Sequence, residues 1–449
     1  MALSSFLLSH SSLDSALVAR LCRKVAKQAG NGHHVVCEQQ YLPDWPSERA
    51  TLSIASIAIY SIYSTFRPIL TKGRGFWSNG VKQMRIAQVA PLYESVPPRL
   101  YGGTERVVSW LTEQLVSLGH DVTLFASGDS VTTARLDPVC KTALRLDPDC
   151  IDPLAHHVLM VERVFGQADE FDLIHFHIDC LQFSLSRRVP VPCITTLHGR
   201  QDLPDLVPFY KEFSEVPLVS ISDAQRHPLP WVNWMGTVHH GLPANSLSLN
   251  ETGGDYLAFL GRISPEKGVG RAIEIAIRSG MRLKIAAKVD RCDRNYFERK
   301  IRPLLDHPLI EFISEIGASE KQEFLGNAAA LLFPIEWPEP FGLVMIEAMA
   351  CGTPVIAHPF GSVPEIIPDG IAGFLVRDLD EAVNAVQRLG ELDRRECRQH
   401  FEMNFTDERM ARDYVKLYNQ LIHPKSTSLR VEEGALNWME LESRTPSTT

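Results

Sequence analysis

Two carboxylates and two cations carry the clearest chemical signal in this chain. Glu339 and Glu347 bracket the run Glu-Pro-Phe-Gly-Leu-Val-Met-Ile-Glu, which continues Ala-Met-Ala-Cys-Gly352-Thr-Pro354. A strand expected at 330–333 feeds a loop, and Gly342 opens a helix at 342–350. The N–H groups in the first turn of a helix lack intrahelical partners, so they form an anion site at the carboxyl ends of strands. Glu339 then stands at the rim and Glu347 one to two turns deeper. Each can accept a pair of hydroxyls, as on a sugar or a ribose. The plainer alternative makes Glu339 an acid complementing the helix dipole and Glu347 a solvated helix residue. Upstream, Gly-Arg-Ile-Ser-Pro-Glu-Lys-Gly fills 261–268 directly after an expected strand. A turn at Pro265 can bring Arg262 and Lys267 to one anion, and a diphosphate leaving group needs such neutralisation. A solvated surface loop is the alternative.

The first half holds weaker signals. Tyr101-Gly102-Gly103-Thr104-Glu105 precedes a helix, and its glycines let backbone approach a ligand, although a turn at a helix start would look the same. Thr195-Thr196-Leu197-His198-Gly199 ends a strand with His198 at its carboxyl end. A lone histidine is more often structural than functional. His175, His177 and Asp179 alternate, so on a strand they would share one face. That could hold a metal, but polar residues at a strand's carboxyl end also line clefts, and no metal is expected. Asp147-Pro-Asp149 is treated as a chance Asp-x-Asp, and no Gly-x-Ser-x-Gly or P-loop is present, which counts against hydrolases and kinases.

These residues need elements to hold them. Strands are expected at 85–89, 122–125, 172–176, 193–196, 218–221 and 237–239. Val107, Val108, Leu111, Leu115 and Leu118 recur at helical spacing over 104–118, and Gly119 stops that helix. The polar stretch 243–255 reads as a linker. Strands at 256–260, 283–287, 310–313, 330–333, 355–357 and 373–376 then alternate with helices at 269–279, 295–305, 320–327 and 342–350. Such alternation means right-handed βαβ units and parallel sheets. The expected fold is α/β, with two Rossmann-like parallel-sheet domains, 84–245 and 252–405, facing across a cleft. An amphipathic closing helix follows within 406–422, and a polar tail, 423–449, is expected to be disordered. Residues 1–83 lack the alternation and are expected to be a poorly ordered extension or untranslated upstream sequence, since Met84 opens a strand as a native start would.

Composition sets the outer bounds. A chain of 449 residues suits two or three domains. With 45% hydrophobic and 22% charged residues it is globular in type, and a net charge of −9 gives no sequence-wide basic footprint for nucleic acid. Nine cysteines without a Cys-x-x-Cys pair suggest reduced thiols and a cytoplasmic protein. No apolar run reaches the ~20 residues of a membrane span.

Taken together, Gly-Arg-x4-Lys-Gly and Glu-x7-Glu resemble the retaining GT-B glycosyltransferases of family 4, the glycosyl transferases group 1, over about residues 84–421. The resemblance implies a first domain for the acceptor and a second for a nucleotide-sugar donor. It implies that Arg262 and Lys267 bind the donor diphosphate, that Glu339 contacts the donor sugar and that Glu347 binds the ribose. Main-chain contacts would fall on Phe341, Gly342 and Leu343. Gly102 and Gly103 would lie over the donor phosphates, and His198 near the donor sugar and reaction centre. His198, Glu339, Arg262 and Lys267 are thus the catalytic candidates, with no cofactor and no metal beyond the nucleotide-diphosphate sugar substrate. The acceptor is an unidentified glycan, lipid or small molecule; a lipid-linked acceptor would add peripheral membrane contact. His240 stands where similar proteins often carry Asn, and Ser314 where many carry Gly. A GT-B nucleotide-sugar hydrolase or epimerase, or a non-catalytic nucleotide-sugar-binding protein, are the rival functions.

Overall fold

The computed structural model describes residues 83–99 and 102–424. The expectations for 1–82 and 425–449 lie outside the described residues. The first sheet contains β1 (Arg85–Val89), β2 (Asp121–Ser127), β3 (Arg135–Cys140), β4 (Leu173–Phe176), β5 (Cys193–Thr196), β6 (Leu218–Ser220) and β7 (Trp234–Thr237). The second contains β8 (Tyr256–Arg262), β9 (Arg282–Lys288), β10 (Ile310–Ser314), β11 (Ala328–Phe333), β12 (Val355–Ala357) and β13 (Gly373–Leu375). The first is a 7-stranded sheet ordered β3-β2-β1-β4-β5-β6-β7, and the second a 6-stranded sheet ordered β10-β9-β8-β11-β12-β13. The pairings are parallel throughout both sheets. Buried on both faces, such strands read as apolar runs, as in Ala328–Phe333 of β11.

The helices of eight residues or more are α1 (Gly103–Ser117), α2 (Pro153–Gly166), α3 (Val269–Ser279), α4 (Ala318–Gly326), α5 (Leu343–Ala350), α6 (Leu379–Gln387), α7 (Arg394–Asn404) and α8 (Asp407–Ile422). In each sheet the strand order reverses beside the first strand of the domain: β1 lies between β2 and β4, and β8 between β9 and β11. Loops leaving the carboxyl ends at these switch points diverge and open a crevice. The segment Gly102-Gly103 follows β1, His177 follows β4, Arg262 ends β8, and Glu339 follows β11.

The chain departs from the sequence expectations at several places. β3 and α2 had no forecast. β3 is a half-exposed edge strand carrying Pro138, so it shows neither an apolar run nor clean alternation. α2 starts at Asp152, whose side chain accepts from the Leu154 N–H, with Pro153 at the first helical position. β7 lies upstream of the expected 237–239. The single helix expected at 295–305 is broken into one turn at Arg294–Tyr296, a π-turn at Phe297–Ile301 and a 3₁₀ turn at Arg302–Leu304. Pro303 supplies no N–H to an α-ladder, which accounts for the final change of pitch.

α8 returns from the second domain to pack on the first. Met410, Tyr414, Leu417 and Tyr418 join Ile86, Leu111, Leu173 and Ile194 in one core. Thr406 caps the helix by accepting from the Arg409 N–H. Packing holds it more than capping does: burying Met410 and Leu417 contributes ~1.5–3 kcal/mol each, against ~1 kcal/mol for a cap. The chain leaves the first domain at Leu242 and re-enters at Thr406 side by side, with the Leu242 N–H donating to Phe405 O (3.0 Å) and the Asp407 N–H to Leu242 O (3.1 Å). Gly241 permits this approach, since a Cβ there would lie 2.1 Å from Thr406 O.

Candidate functional site

A cleft of about 860 Å³ opens between the carboxyl ends of the two sheets. Gly102, Gly103 and His198 line it from the first domain, and Arg262, Lys267, Glu339, Phe341, Gly342, Leu343 and Glu347 from the second. Residues spread from 102 to 347 in sequence thus share one wall-to-wall space.

On the second-domain wall, acids and bases are already paired. Lys267 Nζ lies 2.5 Å from Glu339 Oε2, and Trp337 Nε1–H donates to the same oxygen at 2.9 Å. The ammonium also stands 5.1 Å from the centre of the Trp337 ring. Glu339 is buried and committed to this pair, not to the helix dipole considered as its alternative. Its loop is fastened by the Ser362 N–H donating to Glu339 O (2.9 Å) and Ser362 Oγ donating to Phe341 O (2.8 Å). Gly342 takes φ 82° as the residue before α5, and a Cβ on it would lie 2.8 Å from Met345 Cε. The helix therefore begins at Leu343, one residue later than expected, with the first-turn N–H groups at the cleft.

Glu347 sits one turn into α5. It is buried, not solvated, and accepts from Lys321 Nζ of α4 at 2.6 Å. Lys321 also lines the cleft, yet nothing in its sequence surroundings marks it. Arg262 lines the same cleft as Lys267. In the chain by itself each cation has its own acids. Arg262 pairs with Glu266 at 2.5 Å and lies 3.7 Å from Asp290 and 3.8 Å from Asp293. The segment after β9 supplies those last two acids, so sequence spacing around Pro265 could not reveal them.

The first-domain wall is built around a row of buried histidines, with Glu105, Arg106, Arg145 and Asp179 also lining the cleft. His198 Nε2 is 2.9 Å from His177 Nδ1, and His177 Nε2 is 2.9 Å from Gln88 Oε1. Behind them, His175 Nδ1 is 2.8 Å from the Tyr418 hydroxyl and His175 Nε2 2.7 Å from Thr196 Oγ1. Burial pushes the His198 imidazole down to about 3 and holds His175 and His177 well below their ordinary value. Neighbouring histidines add to the depression of both. The shared face expected for His175, His177 and Asp179 does not form. β4 ends at Phe176, so His177 and Asp179 reach the cleft from the loop, Asp179 with φ 54°, while His175 lies behind them in the strand. Among the described residues, no three His, Cys, Asp or Glu side chains group as a metal site.

His240 is buried between the two walls. Its ring stacks on His198 at 5.2 Å and meets Phe341 edge-on at 4.8 Å. Its Nδ1 is buried without a hydrogen-bond partner. Asp179 and Glu105, also at the cleft, are pushed up chiefly by burial. Ser314 ends β10 beside a register shift, with φ 69°, a conformation that favours glycine. No helix of the described residues is long and apolar enough to cross a membrane.

Comparison with known proteins agrees with this architecture. The family described as glycosyl transferases group 1 matches residues 247–404, and Glycosyltransferase Family 4 matches residues 101–234. An alpha-maltose-1-phosphate synthase of Mycobacterium tuberculosis is 29% identical over 183 residues, 35% of this chain and 47% of that protein. The chain thus spans about half the length of that relative. AviGT4, a glycosyltransferase involved in avilamycin A biosynthesis, superposes with a TM-score of 0.60 at 24% identity, over 76% of this chain and 98% of its own. HepE of Anabaena, solved with UDP and glucose, gives a TM-score of 0.60 at 16% identity, over 76% of this chain and 100% of its own. Both share the fold of two parallel-sheet domains around a cleft.

Proposed function

From its membership in the group 1 glycosyltransferases, to which the chain belongs, we propose that it transfers a sugar from a nucleotide-diphosphate donor to an acceptor hydroxyl, with retention at the anomeric carbon. The observation that carries this is the Lys267–Glu339–Trp337 cluster beside the first turn of α5, with the Lys321–Glu347 pair one turn deeper. That arrangement suits one extended ligand. A diphosphate at the start of α5 meets N–H groups and the Lys267 ammonium, with Arg262 on the same wall. Glu339 receives the sugar hydroxyls, and Glu347 the ribose.

As the bond from the anomeric carbon to the diphosphate oxygen breaks, positive charge builds on the sugar and negative charge on the leaving group. Lys267, Arg262 and the helix start stabilise the second. The leaving phosphate oxygen can take the acceptor's proton on the same face, which gives retention without a nucleophile from the protein. The acceptor enters along the first-domain wall, past Gly102, Gly103 and His198. Closure of the two domains would exclude water and limit donor hydrolysis. HepE, solved with UDP, supports a nucleotide donor of this type.

A thermal-shift screen of the full chain against UDP-, GDP- and ADP-sugars tests the proposal. At 100 times its Kd a donor should stabilise the protein by about 2.7 kcal/mol. One nucleotide should raise Tm, and Lys267→Ala should abolish the shift. No shift with any donor, or an undiminished shift in the variant, overturns the assigned site.

A further inference from the structure

The hydrogen bonds of the first-domain wall have a direction that can be read atom by atom. Gln88 Oε1 faces His177 Nε2 at 2.9 Å, and an amide oxygen only accepts. With the Gln88 amide in this orientation the proton of His177 is on Nε2. Its ring is fully enclosed, and burial keeps it neutral. Its Nδ1 is then a bare lone pair, so the 2.9 Å bond to His198 must be donated by His198 Nε2–H. His198 Nδ1 is left without a proton.

The Gln88 amide sets the sense of the whole row, because the groups behind it can serve either of its ends. Its amide nitrogen lies 3.2 Å from the Tyr418 hydroxyl and 3.4 Å from His175 Nδ1. Tyr418 belongs to α8, so the closing helix reaches the same row. If Gln88 donates to Tyr418, the Tyr418 hydroxyl donates to His175 Nδ1 (2.8 Å), His175 Nε2–H to Thr196 (2.7 Å), and the Thr196 hydroxyl to Tyr414 (2.9 Å). Every bond then runs in one consistent sense. Turning the Gln88 amide over would reverse the whole row and put a proton on His198 Nδ1.

We propose that Gln88 and His177 are positioning residues that hold His198 in the tautomer protonated at Nε2, so that His198 meets a ligand only as a hydrogen-bond acceptor at Nδ1. This rests on the reading of the cleft as a donor-sugar site and adds a chemical selection to it. A bare ring nitrogen accepts a hydroxyl proton but repels a phosphate oxygen, because two lone pairs would face each other. The row thus favours sugar hydroxyls at the His198 wall and leaves the diphosphate to the cations opposite.

The test is NMR of the full chain with ¹⁵N-labelled histidine rings at pH 7.5, with His198 assigned by loss of its signals in His198→Asn. The expected result is a single tautomer protonated at Nε2. Protonation at Nδ1, or an even mixture of tautomers, overturns the proposal. In Gln88→Leu the His198 signals should shift towards a mixture, and Gln88→Glu, which keeps an acceptor oxygen in that place, should restore the single form. An unchanged tautomer in a folded Gln88→Leu also overturns it. If Gln88→Leu fails to fold, the wild-type spectrum still decides. Because this measurement needs no donor, it stands or falls separately from the thermal-shift screen.

Discussion

The two walls of the cleft solve one problem in opposite ways. The second-domain wall carries full charges set in ion pairs: Lys267 with Glu339, Lys321 with Glu347, Arg262 with Glu266, Asp290 and Asp293. The first-domain wall carries His175, His177, His198 and His240, all buried enough to be held neutral. A ligand with a charged diphosphate can exchange one ionic partner for another on the first kind of wall without leaving a buried charge alone. The second kind offers orientation instead, since neutral nitrogens discriminate by donor and acceptor rather than by charge. For the proposed donor the contrast would set anionic groups against the ion pairs of the second domain and sugar hydroxyls against the histidines.

Acid should break the neutral wall before the charged one. The four histidines have folded values below the ordinary 6.5, so the unfolded chain binds protons that the folded chain refuses. Their stability contribution is complete above pH 6.5 and is lost as pH falls below it. Each can cost up to ~1.4 kcal/mol per pH unit in that range. Urea midpoints at pH 7.5 and 5.5 should therefore differ sharply; equal midpoints would show that these rings are not buried neutral in solution.

The charged wall should break next, and in activity before stability. If Lys267 neutralises the leaving group as proposed, Lys267→Ala should lower kcat/KM by about 10²-fold. Near-normal turnover would remove Lys267 from the donor site. Lys321→Ala leaves Glu347 without its partner and should raise the donor KM by about tenfold while kcat stays near normal, the signature of uniform binding. A fall in kcat alone would place Lys321 at the reacting bond instead.

The smallest effect sharpens the edge of the second domain. Ser314 holds a left-handed backbone at the end of β10. Ser314→Gly should relieve that strain and stabilise the protein by about 0.5–1 kcal/mol, less glycine's own entropic penalty. A loss of stability measured by denaturant unfolding would mean that the serine side chain contributes more than the strain costs.

Much of this molecule was legible from spacing alone. The strand–helix alternation gave the two sheets, and the doublet of motifs at 261–268 and 339–347 led to the second-domain wall. Elements without a clear period escaped: the edge strand β3, the capped helix α2, and the broken segment after Arg294. Residues that reach the cleft without a motif escaped as well. Lys321 and Trp337 come to their carboxylates through packing of α4 and the loop after β11, and no local pattern encodes that. His240 was noted only as an unusual residue at its position, and Gln88 belongs to no motif at all.

The sequence by itself therefore determined the alternation of elements, the class of fold and the residue types available at the carboxyl ends of β8 and β11, because these follow from local periodicity and from where loops must leave a parallel sheet. The tertiary structure alone decided the pairings: which acid meets which base, the path by which α8 comes back to place Tyr414 and Tyr418 behind the histidines, and the row that joins Tyr418 through Gln88 to His198. Those depend on side chains tens to hundreds of residues apart being brought within hydrogen-bond distance, where a shift of an ångström separates a bond from none.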